Sequence, residues 1–406
     1  MSELKTPQRD LNRRGFRAAA VRTFGGTLSP AHAKRLLAGF VLVAAFVVRG
    51  GYDVRDFGAK GDGGTDDTAA VQRALDRAAA DGGGTVRVLP GVYKISSLSL
   101  GWNVRLEFAG GVADARVGFT EESARRMMDP SVSAIIRSTR LVRPRIFLYN
   151  LTPPAYITNG CGGITVSGGV LDCEGEALAG AFACAKGLRI ENVLVRDLPN
   201  NHAFQLVACE DVSITNCVFA GYTFGKSVSC ITRETIQVED SCPTSLSGNP
   251  ATSPIRCDVG DSRPNRNVAV RGCWFGPSDR LGSQLIALGH HGLPRSCNGL
   301  TFAGNTVVDP LYCGLRLANI SDAVVEGNRF VSHVQPKIMK DDAAFITIWG
   351  RACLQSGEKG IVVRNNVFEK DAGSHLMDVW ISPRRAGEVM VEPSSTNMDA
   401  ARYNLR

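Results

Sequence analysis

The sequence predicts an all-β fold, a single-stranded parallel β-helix whose N-terminal end is covered by a capping helix. Three observations favour it: an apolar strand motif recurs along the chain, a second group of apolar strands lies between its copies, and an amphipathic helical segment precedes both. The 406 residues are 44% hydrophobic and 21% charged, which is typical of a globular protein. We expect one β-helix domain over residues 51–385, after an N-terminal segment at 1–50 and before a C-terminal tail at 386–406.

Residues 1–50 have the composition of a targeting segment. A basic stretch containing Arg13 and Arg14 precedes the apolar run "LLAGFVLVAAFVV" at 36–48. That run has the length of a signal-peptide hydrophobic region and is too short to span a bilayer. We expect this segment to be cleaved or disordered and the protein to be secreted or periplasmic, by a twin-arginine or Sec-type route. A cytoplasmic location and a transient membrane contact through residues 36–48 are the alternatives.

Residues 52–95 predict the closed end of the β-helix. The segment "TDDTAAVQRALDRAAA" offers Thr65 or Asp66 as an N-cap, and its apolar residues recur at helical spacing, so we expect a helix over 66–80. Glycines at 82–84 end the helix, and "TVRVLPGVYKI" then alternates as two strands around a Pro-Gly turn. An amphipathic helix that leads into strands can cover the open end of a stacked β structure.

The recurring motif has two alternating apolar residues, a small or Asn corner and then one or two more apolar residues. A single coil of this kind cannot bury its apolar side, whereas stacked coils share one continuous core. The first three copies start 24 residues apart, which is the period of a solenoid. The copies begin at residues 162, 186, 210, 266, 298, 321 and 359.

The repeats also sort the 12 cysteines. Cys217 and Cys273 occupy the same repeat position, which predicts that they are stacked corner or core residues. No C-x-x-C pair exists, so the sequence does not indicate a zinc ribbon. The remaining spacing favours disulfide bonds in an extracellular protein, although it does not fix their connectivity. The disulfide candidates are Cys230, Cys242, Cys257, Cys297 and Cys313.

A second apolar strand lies between consecutive copies of the motif, and we expect these strands to stack into a further sheet. The outward residues of such a sheet form a shallow groove that suits an extended polymer. The longest insertion, 220–265, lies beside it, and insertions in repeat proteins often gather on the binding face. The strands are "HAFQLV" (202–207), "ETIQV" (234–238), "SQLIAL" (283–288), "CGLRLA" (313–318) and "AFITIW" (344–349).

The stretch "TRETIQVED" gathers Glu234, Glu239 and Asp240 around one of these strands. Glycoside hydrolysis needs two carboxyl groups, and two acids beside one groove push their pKa values apart. Glu239 points outward, whereas Glu234 shares the parity of the inward Ile236 and joins the groove only if the chain turns a corner at its position. The alternative is a set of solvated acids on a non-catalytic solenoid.

Further polar residues lie on the same face in later and earlier coils. The pair Asp341-Asp342 is interpreted as part of the groove or of a turn. Histidine can orient a sugar hydroxyl or tune an acid, and arginine can hold a carboxylate or sulfate by two-point contact. The predicted catalytic residues are Glu234, Glu239, Asp240, His290 and His291. The predicted substrate-binding residues are Gln237, Gln284, Arg316, His202 and Asn201.

Residues 52–95 resemble the N-terminal module of the pectate-lyase-like superfamily of right-handed parallel β-helix proteins. The order of acid, histidine and arginine over successive coils resembles the polygalacturonase-type hydrolases. Their N-T-D, G-H-G and R-I-K motifs match "TRETIQV", "GHHG" and "RLA", with Ala318 in place of the lysine and no counterpart of their D-D pair. The strand "ETIQVE" with a following Gly-His is also similar to the iota-carrageenase type. These resemblances imply a right-handed β-helix and a glycoside hydrolase.

We therefore expect a glycoside hydrolase that needs no metal or cofactor, acts on a polysaccharide and binds no nucleic acid. The net charge of +7 is too small to select a partner. One alternative is a lyase with Ca²⁺ held by Glu239, Asp240 and Asp258 and with Arg316 or Lys337 as the base. The other is a glycan-binding, tailspike-like protein without catalysis. The sequence does not fix the sugar, the linkage, endo or exo action, the stereochemical outcome or the oligomeric state.

Overall fold

The structure is a computed structural model. Neither helix among the described residues is long and apolar enough to cross a membrane. The predicted targeting segment at 1–50 lies outside the described residues. The structure describes residues 51–139, 146–150, 161–199, 202–223, 234–239, 263–281, 286–289, 297–333, 342–349 and 359–392.

The described strands form three long parallel sheets, and almost every coil contributes one strand to each sheet. Strands are numbered here in chain order. The first sheet contains β1 (Gly51–Asp53), β3 (Gly84–Val88), β6 (Val104–Phe108), β9 (Thr165–Ser167), β12 (Arg189–Glu191), β15 (Glu210–Thr215), β18 (Asn265–Arg271), β21 (Cys297–Ala303), β24 (Ile320–Glu326), β27 (Ile361–Arg364) and β30 (Val389–Val391).

The other two sheets follow the same stacking rule. The second sheet contains β2 (Asp62–Asp66), β4 (Gly91–Ile95), β7 (Ala134–Ser138), β10 (Val170–Asp172), β13 (Leu194–Leu198), β16 (Val218–Tyr222), β19 (Trp274–Gly276), β22 (Thr306–Val308), β25 (Arg329–Ser332) and β28 (Val367–Lys370). The third sheet contains β5 (Leu98–Leu100), β8 (Ile146–Asn150), β11 (Leu178–Ala183), β14 (Phe204–Val207), β17 (Glu234–Glu239), β20 (Ile286–Gly289), β23 (Leu315–Ala318), β26 (Ala344–Trp349) and β29 (Met377–Ile381).

The recurring motif supplies the turn from the first sheet to the second, as its period predicts. Like residues stack in register along the solenoid: Val166, Ile190 and Ile214 are lateral neighbours and are all buried. Phenylalanines continue the same stacking in the core, where Phe219 and Phe275 lie 4.8 Å apart with nearly parallel rings. The predicted parallel β-helix is confirmed.

The capping helix α1 (Thr68–Ala80) buries the predicted apolar face against the first coils. It starts two residues later than the predicted helix, because Asp66 ends strand β2. Asp67 takes the N-cap position, and its buried carboxylate accepts hydrogen bonds from the backbone N–H groups of Lys60 and Gly61 at 2.6 and 3.0 Å. A second helix, α2 (Glu121–Met127), lies in a segment between β6 and β7.

The corners are held by side chains that stack from coil to coil. Cys217 and Cys273 stack as predicted, with the Cys217 backbone N–H donating to Cys273 Sγ at 3.5 Å, and both are buried. The disulfide prediction is wrong for Cys297 and Cys313, which are buried free thiols. Burial raises the pKa of both thiols to about 12. The other disulfide candidates, Cys230, Cys242 and Cys257, lie outside the described residues.

The stacked strands continue past residue 385. Strand β30 pairs with β27, and the 3₁₀ helix Pro383–Glu388 leads into it. Arg385 is fully buried in that helix and donates to the backbone carbonyl of Ile320 at 2.7 Å. The side chain of Arg385 therefore ties the last described coil to the first sheet.

Candidate functional site

The outer face of the third sheet carries a row of polar side chains, which come from several of its coils. In strand β17, Ile236 and Val238 belong to the core, so Gln237 between them faces outward. Gln237 lies beside Gln205 in β14 and beside Gly289 in β20. The next coils add Arg316 and Thr347, which are lateral neighbours in β23 and β26. The strands predicted to form this sheet therefore lie together, in the predicted order.

Glu234, the first residue of β17, is fully buried between two basic side chains. Its Oε2 lies 3.9 Å from His202 Nδ1, and its Oε1 lies 4.0 Å from Arg316 Nη1. His202 Nδ1 also donates to the backbone carbonyl of Glu234 at 2.7 Å. Because Arg316 belongs to the outward-facing row, this contact places the Glu234 carboxylate at the outer side of the sheet. The structure thus brings together three residues that the sequence predicted for the site.

Gly289 makes room for the Glu234 side chain. A Cβ added at Gly289 would collide with Glu234 Cγ and would lie 3.1 Å from its Oε1. Gly289 is the glycine that precedes His290 in the "GHHG" stretch. The absence of a side chain here lets the acid pack against the backbone of the next coil.

Glu239 lies at the other end of the same strand. Its Oε2 accepts a hydrogen bond from Gln205 Nε2 at 2.9 Å, and its backbone carbonyl accepts one from Asn265 Nδ2 at 2.6 Å. The side chain is only 6% exposed. Five residues of extended strand put the backbones of Glu234 and Glu239 about 16 Å apart. The two carboxylates therefore do not share one immediate environment.

A second polar group adjoins Arg316 and was not predicted to belong to the site. The Tyr312 hydroxyl is hydrogen-bonded to the Asp342 carboxylate, and the pKa of Tyr312 is raised, first by burial and then by this hydrogen bond. Thr347 Oγ1 donates to the backbone carbonyl of Asp342 at 3.0 Å. Because Thr347 is the lateral neighbour of Arg316, its hydrogen bond to Asp342 places this second group in the coil next to Arg316. Asp342 was interpreted from sequence only as a groove or turn residue.

Two tryptophans border this part of the sheet. Trp349 ends strand β26, and the Arg316 guanidinium lies 5.6 Å from the centre of its ring. Its side chain remains 47% exposed. Trp380 is partly exposed and is the lateral neighbour of Thr347 in the next coil. Exposed aromatic rings beside an arginine offer an apolar and cationic surface to a ligand. Sequence reasoning missed both rings, although their positions in the strands indicated that they face outward.

Several predicted site residues lie outside the described residues. They comprise three of the predicted catalytic residues, Asp240, His290 and His291, and two of the predicted binding residues, Gln284 and Asn201. Asp258 and Lys337, which belong to the lyase alternative, also lie outside. Among the residues that the structure describes, no three histidine, cysteine, aspartate or glutamate side chains cluster in a way that could hold a metal ion.

Comparison with family models relates the first coils to known proteins. Residues 52–106 match the model described as rhamnogalacturonase A/epimerase, pectate lyase-like. The matched range contains the capping helix and strands β2 to β5 and ends within β6, so it concerns the closed end of the solenoid and not the polar row.

One curated relative matches most of the chain. It is the plasmin and fibronectin-binding protein A of Streptococcus pneumoniae, 26% identical over an alignment of 342 residues that covers 78% of this chain and 45% of the relative. The chain therefore spans less than half of that relative's length. A shorter match joins 45 residues, 11% of this chain, to 5% of alginate lyase 7 of Azotobacter vinelandii with 60% identity.

The solved structures show the same architecture. The crystal structure of PfbA, a surface adhesin of Streptococcus pneumoniae, superposes with a TM-score of 0.60 and 21% identity, covering 86% of this chain and 80% of that chain. At this level of identity the likeness concerns the fold. The three stacked sheets, the capping helix and these matches agree, and the chain is a right-handed parallel β-helix protein with the pectate-lyase-like fold.

Proposed function

We propose that this protein is a glycoside hydrolase that binds a polysaccharide along the outer face of the third sheet. The observation that carries the proposal is the buried carboxylate of Glu234, held between His202 and Arg316. Burying a carboxylate is costly unless charged or hydrogen-bonding groups compensate it. Ionisable groups arranged in this way beside a groove are common at catalytic sites, which supports a functional role for Glu234.

The substrate would lie across the outward-facing row. Arg316 and Trp349 offer a cation and an exposed ring to a sugar. Gln237 is almost fully buried, and no described group donates a hydrogen bond to its Oε1. A sugar hydroxyl could supply that donor, as buried polar atoms normally have a partner. Gln205 holds Glu239 in the neighbouring coil and so fixes the far end of the row.

The proposed chemistry uses two carboxyl groups. One protonates the glycosidic oxygen as the bond from that oxygen to the anomeric carbon breaks, and the other activates a water molecule or attacks the anomeric carbon. Glu234 is proposed as one of the two. Such pairs are separated by roughly 5–10 Å, whereas extended strand separates the backbones of Glu234 and Glu239 by about 16 Å. Glu239 completes the pair only if its side chain and that of Glu234 bend toward each other along the strand. Asp240 and Asp342 are the other candidates.

The substitution Glu234→Gln tests the proposal. It removes the ionisable group and keeps the shape, so turnover should fall by about 10²–10⁴-fold, the usual loss for a proton-transfer group. The melting temperature should change little. Reducing ends released from a panel of acidic and neutral polysaccharides are measured for the wild-type protein and the variant. Glu326→Gln, which removes another arginine-paired carboxylate on the first sheet, is the matched control and should keep full activity.

The outcome also separates hydrolysis from elimination. A lyase would release products with an unsaturated bond that absorbs ultraviolet light, and a chelator would abolish activity if Ca²⁺ were required. Either result would overturn the hydrolase. Equal turnover by the wild-type protein and Glu234→Gln would remove Glu234 from the mechanism.

A non-catalytic adhesin is the second candidate, because the likeness to a plasmin and fibronectin-binding protein extends over most of the chain. The similar solved structure, PfbA, is that of a surface adhesin, which also supports our proposal of an extracellular location for this protein. An adhesin would bind a glycan or a protein with no release of reducing ends from any polysaccharide. Binding of a glycan or a protein by the wild-type protein, with no turnover for Glu234→Gln to reduce, is the outcome that favours this candidate.

A further inference from the structure

A separate cleft of about 570 Å³ lies over the second sheet. Helix α2 with Phe119 and Thr120 forms one wall, and the segment 277–279 forms the other. Arg196 lies between these walls. None of the residues that line this cleft belongs to the third sheet. The cleft is therefore distinct from the proposed catalytic groove.

Arg196 belongs to a row of charged residues from consecutive coils of the second sheet. Arg137, Asp172 and Arg196 are lateral neighbours in β7, β10 and β13. The carboxylate of Asp172 is fully buried, and its Oδ2 accepts hydrogen bonds from Arg137 Nε at 3.2 Å and from Arg280 Nη2 at 3.3 Å. The row thus holds its arginines around a buried acid.

Of this row, the Arg196 side chain is the one that lines the cleft. Its side chain is 4% exposed, its Nε donates to Asp197 Oδ2 at 2.9 Å, and its Nη2 donates to Asp279 Oδ1 at 2.7 Å. The guanidinium also lies 5.5 Å from the centre of the Phe119 ring. Phe119 and Asp197 therefore fix the plane of the guanidinium, so that one edge points toward the place that the Asp279 carboxylate fills.

The charges of this group balance only when Asp279 is included. Three guanidinium groups, Arg137, Arg196 and Arg280, face three carboxylates, Asp172, Asp197 and Asp279. Asp172 and Asp197 are buried, whereas the Asp279 side chain is 60% exposed. Without Asp279 the group has one excess positive charge. Because the Asp279 side chain is 60% exposed, its carboxylate returns to water when an outside anion takes its place, which lowers the cost of the replacement.

We propose that this cleft is a second saccharide site, which binds the carboxylate or sulfate group of an acidic sugar on Arg196 and the sugar ring against Phe119. The Asp279 carboxylate occupies the anion position in the ligand-free protein and moves into solvent when the ligand binds. Arginine suits planar two-point recognition of a carboxylate or sulfate. The cleft has a volume of about 570 Å³, whereas a water molecule occupies only about 30 Å³. The cleft is therefore large enough for a sugar ring and not only for a simple ion. The site would retain an acidic chain independently of cleavage in the third-sheet groove.

The exposed residue Asp279 provides the sharpest test. Asp279→Asn removes the competing anion without disturbing the buried network, so trigalacturonate should bind about two- to fivefold more tightly. Binding is measured by calorimetry with the full chain carrying Glu234→Gln, so that no turnover interferes. A sulfated disaccharide in a parallel titration shows which anion the site prefers. Asp211→Asn, which removes an exposed lysine-paired carboxylate on the first sheet, is the matched control and should leave binding unchanged.

Two further variants test the residues that are proposed to contact the ligand. Phe119→Ala should weaken trigalacturonate binding, and Arg196→Lys should weaken it about tenfold because the two-point contact is lost. Neutral maltotriose should bind equally to the Asp279→Asn and parent proteins. The proposal is overturned if Asp279→Asn leaves the affinity for both anionic probes unchanged, or if maltotriose gains as much. These results do not depend on whether Glu234 is catalytic, because every comparison is made without it.

Discussion

At the residue scale, Glu234 carries the functional hypothesis and Gly289 shapes its surroundings. The glutamate is held by residues from three other coils: His202 precedes it, and Gly289 and Arg316 follow. Such a position is sensitive to a single methyl group, because side chains in the interior are close-packed. The geometry of Glu234 can therefore be altered without changing Glu234 itself.

We predict that Gly289→Ala lowers turnover in the same direction as Glu234→Gln. The added Cβ would collide with Glu234 Cγ, so the carboxylate must move away from Arg316. A small displacement of a catalytic group can cost about 100-fold in rate. Turnover and melting temperature are measured for the same preparation. Gly387→Ala, which meets no atom within 4 Å and has no positive φ, is the control and should change neither.

Unaltered activity in Gly289→Ala would show that the Glu234 position seen here is not the active one. A large loss of stability with normal activity would assign Gly289 a purely structural role.

At the scale of the element, the coils are joined at their corners by a ladder of buried asparagines. Asn328 is its central member: its Oδ1 accepts from the Asn305 backbone N–H at 2.9 Å, and its Nδ2 donates to the Phe302 carbonyl at 2.8 Å. Its backbone N–H in turn donates to Asn366 Oδ1 at 3.0 Å. The Asn328 side chain therefore satisfies two backbone groups of the preceding coil, and the Asn366 side chain satisfies the backbone N–H of Asn328.

We predict that Asn328→Ala lowers the free energy of unfolding by about 2–4 kcal/mol, because it leaves two buried backbone groups without partners. Denaturant unfolding followed by circular dichroism measures the change. Thr301→Ala, at a partly exposed strand position of an adjacent coil, should cost less than about 1 kcal/mol. Equal losses in the two variants would contradict a special role for the ladder.

The strands were predictable from sequence because each coil repeats the same local pattern. The alternation in "ETIQV" and "AFITIW" assigns the inward and outward sides correctly for Ile236 and Thr347. The disulfide prediction failed for Cys297 because a sequence shows no difference between a loop cysteine and a buried strand cysteine. The hydrogen bond between Tyr312 and Asp342 was not predictable, since it depends on how two turns of different coils face each other.

At the scale of the whole molecule, the solenoid has one core whose N-terminal end depends on α1. Val71, Leu75 and Ala78 of this helix join the same buried cluster as Val86 and Leu106 of the first coils. The sequence predicted this helix closely because its apolar period is undisturbed. It placed the helix start too early because Asp66, an apparent N-cap, belongs to β2.

We predict that Leu75→Ala destabilises the protein by about 2–5 kcal/mol, the usual cost of such a cavity in a core. Because each coil of a solenoid contacts mainly its neighbours, hydrogen exchange should accelerate most in β3 and β6 and least in β27. Mass spectrometry of exchanged peptides measures this gradient. Asp76→Ala, on the exposed side of the same helix, is the control. Uniform acceleration along the chain would show that the solenoid opens as one unit.

The regular stacking of the third sheet places the side chains on its outer face at a fixed spacing. His202 lies beside the first and Trp349 at the end of the last of five successive strands, and the four spacings between these strands, at about 4.8 Å each, give roughly 19 Å. The pitch is set by backbone hydrogen bonds and is therefore the same whatever side chains the coils carry. One extra coil between β23 and β26 would move the tryptophan by one such spacing and leave His202, Gly289 and Arg316 around Glu234. The length of polymer that the sheet contacts can therefore change while the residues around Glu234 stay the same.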